Sequence, residues 1–210
     1  MTSTRRILFV SINYSRPAGG VRAVYRHVEI LRRHGFEASV LHVGGQDDVF
    51  FDTDATVIRA ADGIEFRPDD ILVVNEDRKE SLEFAGTINL TKVLFVQNQF
   101  FMFEGLNEGL TYSDLGFRHY LTGSAWMARA MVELLGLPEV AVVRYAIDKE
   151  RFFPEPKDRK IAFMPRKIPV AARFIRRAFQ QRYPEFADIA WEEITGLPEV
   201  EAARKLRESA

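Results

Sequence analysis

Short apolar runs alternate with segments of helical periodicity, and this alternation constrains the fold more than any other feature of the chain. The first run, 7–12, is nearly all apolar, as expected of a strand buried on both faces. In 21–31 the apolar residues recur at helical spacing, and a glycine at 35 ends that helix. Such alternation predicts an α/β fold with a Rossmann-like, mostly parallel sheet and helices on both faces. Further strands are predicted at 38–43, 56–58, 70–75, 92–97, 120–122 and 140–145, and a helix at 124–136.

A boundary is predicted where two prolines and several charged residues follow one another, in 151–158. It separates a complete domain, 1–150, from a second unit, 159–210. The second unit is predicted to contain two strands and two helices, and two strands cannot shield a parallel sheet. We therefore expect an incomplete second Rossmann-like unit. Its elements are predicted at 161–164, 169–182, 189–191 and 199–207, with Ala171, Phe174, Ile175 and Ala178 facing inward on the first helix.

Composition excludes several classes of protein. The chain has no cysteine, which rules out disulfides, thiolate nucleophiles and iron–sulfur clusters. The formal net charge is −1, so no global field attracts nucleic acid. No apolar stretch approaches the ~20 residues of a membrane span, and we expect a cytoplasmic protein, free or peripheral at the inner membrane face. The few histidines are isolated, and no metal site is expected.

Glycines separate the first predicted strand from its helix. Gly19 and Gly20 lack side chains, so an anion could approach the amides at the helix N-terminus, where the helix dipole favours negative charge. The chain contains neither a dinucleotide fingerprint nor a P-loop. On spacing alone, the two glycines fit a phosphate site and a tight strand-to-helix turn equally well.

Polar residues directly follow two other predicted strands. Asn75-Glu76-Asp77 ends one strand, and Gln97-Asn98-Gln99 follows the next. Ligands of open α/β sheets bind outside the carboxyl ends of the strands, and amide side chains suit hydroxyl groups. Solvated polar turns would have the same composition.

A basic island occupies 157–182, where nine lysines and arginines face a single acid, Asp158. Within it, Arg166 and Lys167 follow the first strand of the second unit and would suit a diphosphate, although ordinary surface charge is the alternative. The arginines of the following helix fit a solvated face, because they lack the interleaved aromatic residues of nucleic-acid sites.

Several segments, in this order and spacing, resemble family 4 (group 1) glycosyltransferases. The resemblance covers the chain from Ile7 to about residue 195. Departures include Phe36 and Asn98 where members of the family usually have histidine, and Ala146 where the linker usually has glycine. The segments are SRPAGGV (15–21), LRRHGFEASV (31–40), RPDD (67–70), LTGS (121–124), YAIDKERFFP (145–154) and IAFMPRK (161–167).

The resemblance implies the GT-B architecture of two Rossmann-like domains. It also implies transfer, with retention and without a metal, of a sugar from a nucleotide-diphosphate sugar. That sugar nucleotide is a co-substrate, so no cofactor is expected. The acceptor would be a hydroxyl of a sugar, a lipid-linked molecule or a small molecule. The diphosphate would bind Gly19, Gly20, Arg166 and Lys167, and the acceptor would lie near Tyr14, Asn75, Gln97 and Asn98, with no catalytic residue assigned.

Family members carry much of the donor site later in the second domain. We therefore expect the 210-residue chain assayed alone to show no appreciable transfer, and a separate chain supplying a C-terminal half is one expected partner. Two alternatives stay open. One is a non-catalytic binding or scaffold protein derived from a glycosyltransferase, and the other is a flavodoxin-like domain.

Overall fold

The computed structural model describes residues 5–13, 18–45, 49–166 and 168–209. The chain divides into two compact units, which we call the first unit (Met1–Ala146) and the second unit (Ile147–Ala210). No helix in the described part of the chain is both long enough and apolar enough to cross a bilayer.

The first unit alternates strands and helices, as the sequence predicts. Helix α3 begins where Ser124 accepts a hydrogen bond from the Met127 amide, and it ends at Gly136 in the left-handed conformation. The elements are β1 (Ile7–Asn13), α1 (Gly19–Arg33), β2 (Ala38–Gly45), β3 (Val57–Arg59), β4 (Ile71–Asn75), α2 (Lys79–Gly86), β5 (Thr91–Val96), β6 (His119–Thr122), α3 (Ala125–Leu135) and β7 (Ala141–Val142).

All strands of the first unit lie in one parallel sheet. Among the described residues the sheet has seven strands in the order β3-β2-β1-β4-β5-β6-β7. This is the Rossmann order, in which the direction of winding changes between β1 and β4. Val10 of β1 therefore lies between Leu41 of β2 and Val74 of β4. The predicted α/β class and parallel sheet are confirmed.

Helices cover both faces of the sheet. Leu8 and Val10 pack with Leu82 of α2 on one face, whereas Phe9 packs with Val24 and Val28 of α1 on the other. Alternate residues of β1 are thus buried on opposite faces, which explains its nearly continuous apolar sequence. Since α1 and α2 lie on opposite faces, the carboxyl ends of β1 and β4 form the switch point, the place where open α/β sheets bind ligands in a crevice.

Two elements of the first unit differ from the prediction. Helix α2 was not predicted, because it is only eight residues long and buries Ser81 beside Leu82 and Ala85, which weakens its apolar periodicity. Strand β7 is shorter than 140–145. After the Val143 amide bonds to the Thr122 carbonyl, the chain leaves the sheet and Tyr145 lies against Gly123.

The second unit has a small parallel sheet of two strands. Strands β8 and β9 pair from Lys160 opposite Ala190 to Phe163 opposite Glu193. Two helices accompany the strands. The elements are β8 (Lys160–Phe163), α4 (Pro169–Arg182), β9 (Ala190–Glu193) and α5 (Glu199–Glu208).

The inward face predicted for α4 is wrong at three of its four positions. Phe174 is 71% exposed and Ile175 60% exposed, and Ala178 is exposed as well, whereas Ala171 is half-buried. The contact with the sheet is instead made by Phe179, whose ring lies 5.5 Å from that of Trp191. Strands are spaced about 4.8 Å apart, so a sheet of two strands is too narrow to cover a full helix face.

Candidate functional site

Polar residues collect at the carboxyl ends of the central strands of the first unit. Gly19 and Gly20 follow β1, Glu76 follows β4, and Gln97 and Asn98 follow β5. Because β1, β4 and β5 are neighbours and parallel, these ends share one edge of the sheet. We call this group the crevice site.

Among the described residues, no side chain caps the first turn of α1. Ala18 is extended and offers no side-chain cap, and the first turn contains no acidic residue. The Arg22 amide is bonded to the Ala18 carbonyl, so the three preceding amides have no acceptor within the helix. Gly19 and Gly20 are exposed and neither has a left-handed backbone. Glycine is therefore not required for backbone reasons, but its missing side chain leaves the amides open to an anion.

The side chain of Gln97 lies against this first turn. Its Nε2 donates a hydrogen bond to the Gly20 carbonyl at 3.2 Å, across 77 positions of sequence. A Cβ added to Gly20 would lie 3.4 Å from Gln97 Oε1, an ordinary van der Waals contact. Gly20, which was predicted to bind a diphosphate, and Gln97, which was predicted to bind an acceptor, are therefore in contact.

Glu76 holds the turn that carries Gln97. Its side chain is 1% exposed, and Oε1 accepts hydrogen bonds from the Gln97 amide at 3.0 Å and the Asn98 amide at 2.7 Å. Asn98 Oδ1 accepts in turn from the Phe100 amide at 3.1 Å. Glu76 Oε2 and Asn75 Oδ1 are buried and have no hydrogen-bond partner within the described part of the chain.

Burial shapes the electrostatics of this site. Removal from water raises the pKa of Glu76 to about 7, with Asp77 contributing, although the bound amides act in the opposite direction. Burial and the charge of Glu76 raise the pKa of Tyr145 to about 12. A carboxyl that changes charge near neutral pH thus sits beside a neutral phenol.

Two glycines allow the chain to close around Glu76. A Cβ on Gly105 would lie 2.7 Å from the Glu76 carbonyl oxygen and 2.9 Å from backbone atoms of Arg78. A Cβ on Gly123 would lie 2.5 Å from the Tyr145 ring. Position 105 therefore requires glycine, because its neighbours are backbone atoms, whereas a side chain at 123 would displace the ring of Tyr145.

An aromatic surface follows the Gln97–Asn98 turn. Phe100, Phe101 and Phe103 are 77%, 41% and 57% exposed, whereas Met102 between them is 1% exposed. The Tyr112 hydroxyl donates a hydrogen bond to the Met102 carbonyl and so fixes the backbone of this segment. The exposed rings are therefore displayed by a fixed backbone.

The other predicted site residues divide by location. Asn75 ends β4 beside Glu76, as expected from its place in the sequence. Arg166 is exposed and follows β8 in the second unit. Tyr14 and Lys167 lie outside the described residues. The assignment of ligand roles to all of these residues stays a prediction.

Glu76 itself was missed as an individual site residue. The sequence placed it in a segment that could have been a solvated turn, and that alternative does not hold for a side chain 1% exposed. The available signal was an acidic residue placed directly after a strand of four apolar residues. Its amide partners lie more than 20 residues away, so its burial could not be read locally.

The crevice site offers backbone amides and carbonyls, the amide side chains of Gln97 and Asn98, and the buried carboxyl of Glu76. In the described ranges no cluster of three or more histidine, aspartate or glutamate side chains could hold a metal ion. The arrangement suits an anion at the first turn of α1 and hydroxyl groups at Gln97 and Asn98.

No protein-family model matches the chain, and no curated protein matches it significantly. The resemblance to family 4 glycosyltransferases therefore depends on the sequence segments alone, and what is shown is the Rossmann-like parallel fold.

Proposed function

We propose that the chain is a retaining glycosyltransferase of the GT-B type, or one part of such an enzyme. It moves a sugar from a nucleotide-diphosphate sugar to a hydroxyl acceptor. The contact between Gly20 and Gln97 carries the proposal, because it joins an open helix N-terminus to an amide side chain suited to hydroxyls. Gly20 follows β1, at the switch point of a Rossmann-ordered sheet, and Gln97 follows β5, the neighbour of β4 at the same edge, which supports the proposal.

On the donor side, the first turn of α1 receives the diphosphate. In sugar transfer the bond between the anomeric carbon and the diphosphate oxygen breaks, and negative charge builds up on the diphosphate. The amides of Gly19 and Gly20, which no described residue caps, stabilise that charge without a metal. The roles of Arg166 and Lys167 stay predictions. One preorganised donor of this kind lowers a barrier by about 2–4 kcal/mol.

On the acceptor side, Gln97 and Asn98 bind the incoming hydroxyl, with Asn75 and Tyr14 proposed beside them. A new bond forms from the acceptor oxygen to the anomeric carbon, and the hydroxyl proton leaves to the departing diphosphate. Phe100 and Phe103, displayed next to this turn, supply a surface for the apolar part of a lipid-linked acceptor or for the face of a sugar ring.

A partner chain that completes the second unit is also proposed. Among the described residues β8 pairs only with β9, and Val170 and Phe174 of α4 are 68% and 71% exposed. An additional strand beside β8 would bury such a surface. The flavodoxin-like alternative is disfavoured, because flavodoxin-like sheets follow the order 2-1-3-4-5 and this sheet does not.

An NMR titration of the isotopically labelled 210-residue chain tests the proposal. Inorganic pyrophosphate, UDP-glucose and GDP-mannose are added in turn, and the amides of 19–21 and 97–98 are followed. We expect the largest shifts of the first unit at these amides, abolished by Gly20→Val and kept in Gly44→Ala, where an added Cβ meets no atom within 4 Å. A melting curve for each variant confirms folding.

A folded Gly20→Val variant that still shows the shifts would remove α1 from the donor site. If these ligands bind without shifting any amide of the crevice site, the chain would instead be a non-catalytic binding protein or a protein of unrelated function. Binding without turnover agrees with the expectation that the chain alone shows no appreciable transfer.

A further inference from the structure

One carboxyl group connects three segments of the crevice site. Glu76 extends from the end of β4, and its Oε1 receives both amides of the turn after β5. The Gln97 side chain in turn donates a hydrogen bond to the Gly20 carbonyl of α1. The position of the amide side chains at the site therefore depends on the strength of the two hydrogen bonds that Glu76 accepts from the amides of 97 and 98.

The strength of that hold depends on the charge of the carboxyl. Hydrogen bonds from amides to a carboxylate are roughly twice as strong as those to a neutral acceptor. Oε1 accepts both amides of the Gln97–Asn98 turn, while the buried Oε2 accepts none among the described residues. Ionisation therefore acts directly on this turn, as well as on the backbone amide of Glu76 itself.

The charged and titratable groups around Glu76 come from four segments. Asp77 and Arg78 belong to its own turn, Tyr112 lies on the segment after the aromatic surface, and Tyr145 follows β7. His27 of α1 lies beside Tyr145, with ring centroids 6.2 Å apart. Burial raises the pKa of both tyrosines, and they remain neutral near pH 7.

We infer that Glu76 is a positioning residue whose ionisation tightens the Gln97–Asn98 turn against the first turn of α1, which links hydroxyl-ligand binding at the crevice site to a proton. The identity of the ligand rests on the proposed function, but the coupling between Glu76 and the turn does not. Affinity for a hydroxyl acceptor rises as Glu76 ionises, because a firmly held turn loses less freedom on binding.

The test is a pH titration of the labelled full chain without any ligand, from pH 5 to pH 9. We expect the Gln97 and Asn98 backbone amides and the Gln97 side-chain amide to shift with a common midpoint close to 7. Glu76→Gln keeps an acceptor oxygen for both amides and should abolish this step. His27→Gln is the matched control, because it removes the imidazole beside Tyr145 and leaves Glu76 in place, and it should keep the step.

A second measurement covers the case in which Glu76→Gln fails to fold. The side-chain carboxyl carbon of Glu76 is then followed in the unaltered protein, and its midpoint should agree with that of the two amides. Amides that show no step, or a step that persists in folded Glu76→Gln, would overturn the inference. Since no ligand is present, such a failure leaves the proposed function standing, and its own titration decides it.

Discussion

The two units follow the same strand–helix pattern but differ in how completely their strands are buried. In the first unit Leu8, Leu72 and Leu94, from three neighbouring strands, are all 0% exposed. In the second unit every residue of β8 is only half-buried. Apolar burial, at about 25 cal/mol per Å², therefore stabilises the first unit far more per residue.

In the second unit, ion pairs supply part of the stabilisation that apolar burial supplies in the first unit. Lys160 Nζ lies 2.8 Å from Glu208, 3.3 Å from Glu192 and 3.1 Å from Asp158. In the first unit the comparable pair, Arg6 with Asp70, has its carboxylate fully buried. The comparison teaches that a β-α repeat specifies its elements locally, whereas the number of neighbouring strands decides whether those elements form a core.

The largest expected consequence is a difference in amide protection. Amides of the central strands of the first unit, such as those of Phe9 and Val73, should exchange at least ~1000-fold more slowly than those of Ile161 and Trp191. That ratio corresponds to about 4 kcal/mol of opening free energy. Hydrogen exchange measures it, and limited proteolysis should cut first within 153–158 or the second unit. Equal protection in both units would show that β8 and β9 have a core of their own.

The next effect is the pH dependence that Glu76 gives to the first unit. Folding raises the pKa of this carboxyl from 4.5 to about 7, so the folded protein holds the proton more tightly than the unfolded chain. Its stabilising contribution is present below pH 4.5 and is lost as the pH rises to 7, by about 3 kcal/mol. Urea unfolding at pH 5 and pH 8 should show most of this loss in the unaltered chain but not in Glu76→Gln. Parallel pH profiles for the two proteins would mean that Glu76 is not buried as described.

A smaller loss of stability is expected from a side chain at Gly105, which lies against the backbone of Glu76 and Arg78. Gly105→Ala places a Cβ 2.7 Å from the Glu76 carbonyl oxygen, and overpacking of this kind costs about 1–3 kcal/mol. Gly19→Ala, with no atom within 4 Å of its Cβ, is the control and should leave the unfolding free energy nearly unchanged. If both variants unfold at the same urea concentration, the chain does not close around Glu76.

The smallest effect concerns charge in the second unit. Lys160→Met should speed proteolysis of the second unit and leave amide protection in β1 and β4 unchanged, because Lys160 neutralises carboxylates on α5 and β9. Arg159→Met removes an exposed pair with Asp188 and should change the cleavage rate little. An equal response to both variants would assign no special role to the charge network.

Much of the first unit could be predicted from sequence because each signal was local. The continuous apolar run of β1, the Ser124 cap and the glycine at 136 each act within a few residues, and each was confirmed. The exposure of Phe174 could not be predicted, because an amphipathic pattern shows which face of a helix is apolar and not whether enough sheet exists to cover it.

The crevice site was predictable in its location but not in its electrostatics. Polar residues after parallel strands were expected at one edge of the sheet, and the structure brings them together there. The burial of Glu76, however, depends on amides at 97 and 98 and on the close approach of Gly105, which are contacts between distant segments. Only the folded chain brings these together, so the raised pKa of Glu76 had no sequence signal.

The most direct measurement of the central claim is a crystal structure of the chain grown with inorganic pyrophosphate. We expect the anion within hydrogen-bond distance of the Gly19 and Gly20 amides, with the Gln97 side chain still beside Gly20 and the Glu76 carboxylate still bonded to the amides of 97 and 98. Pyrophosphate that instead binds only the arginines of α4, with the first turn of α1 contacting no anion, would contradict the assignment of the crevice site as the diphosphate site.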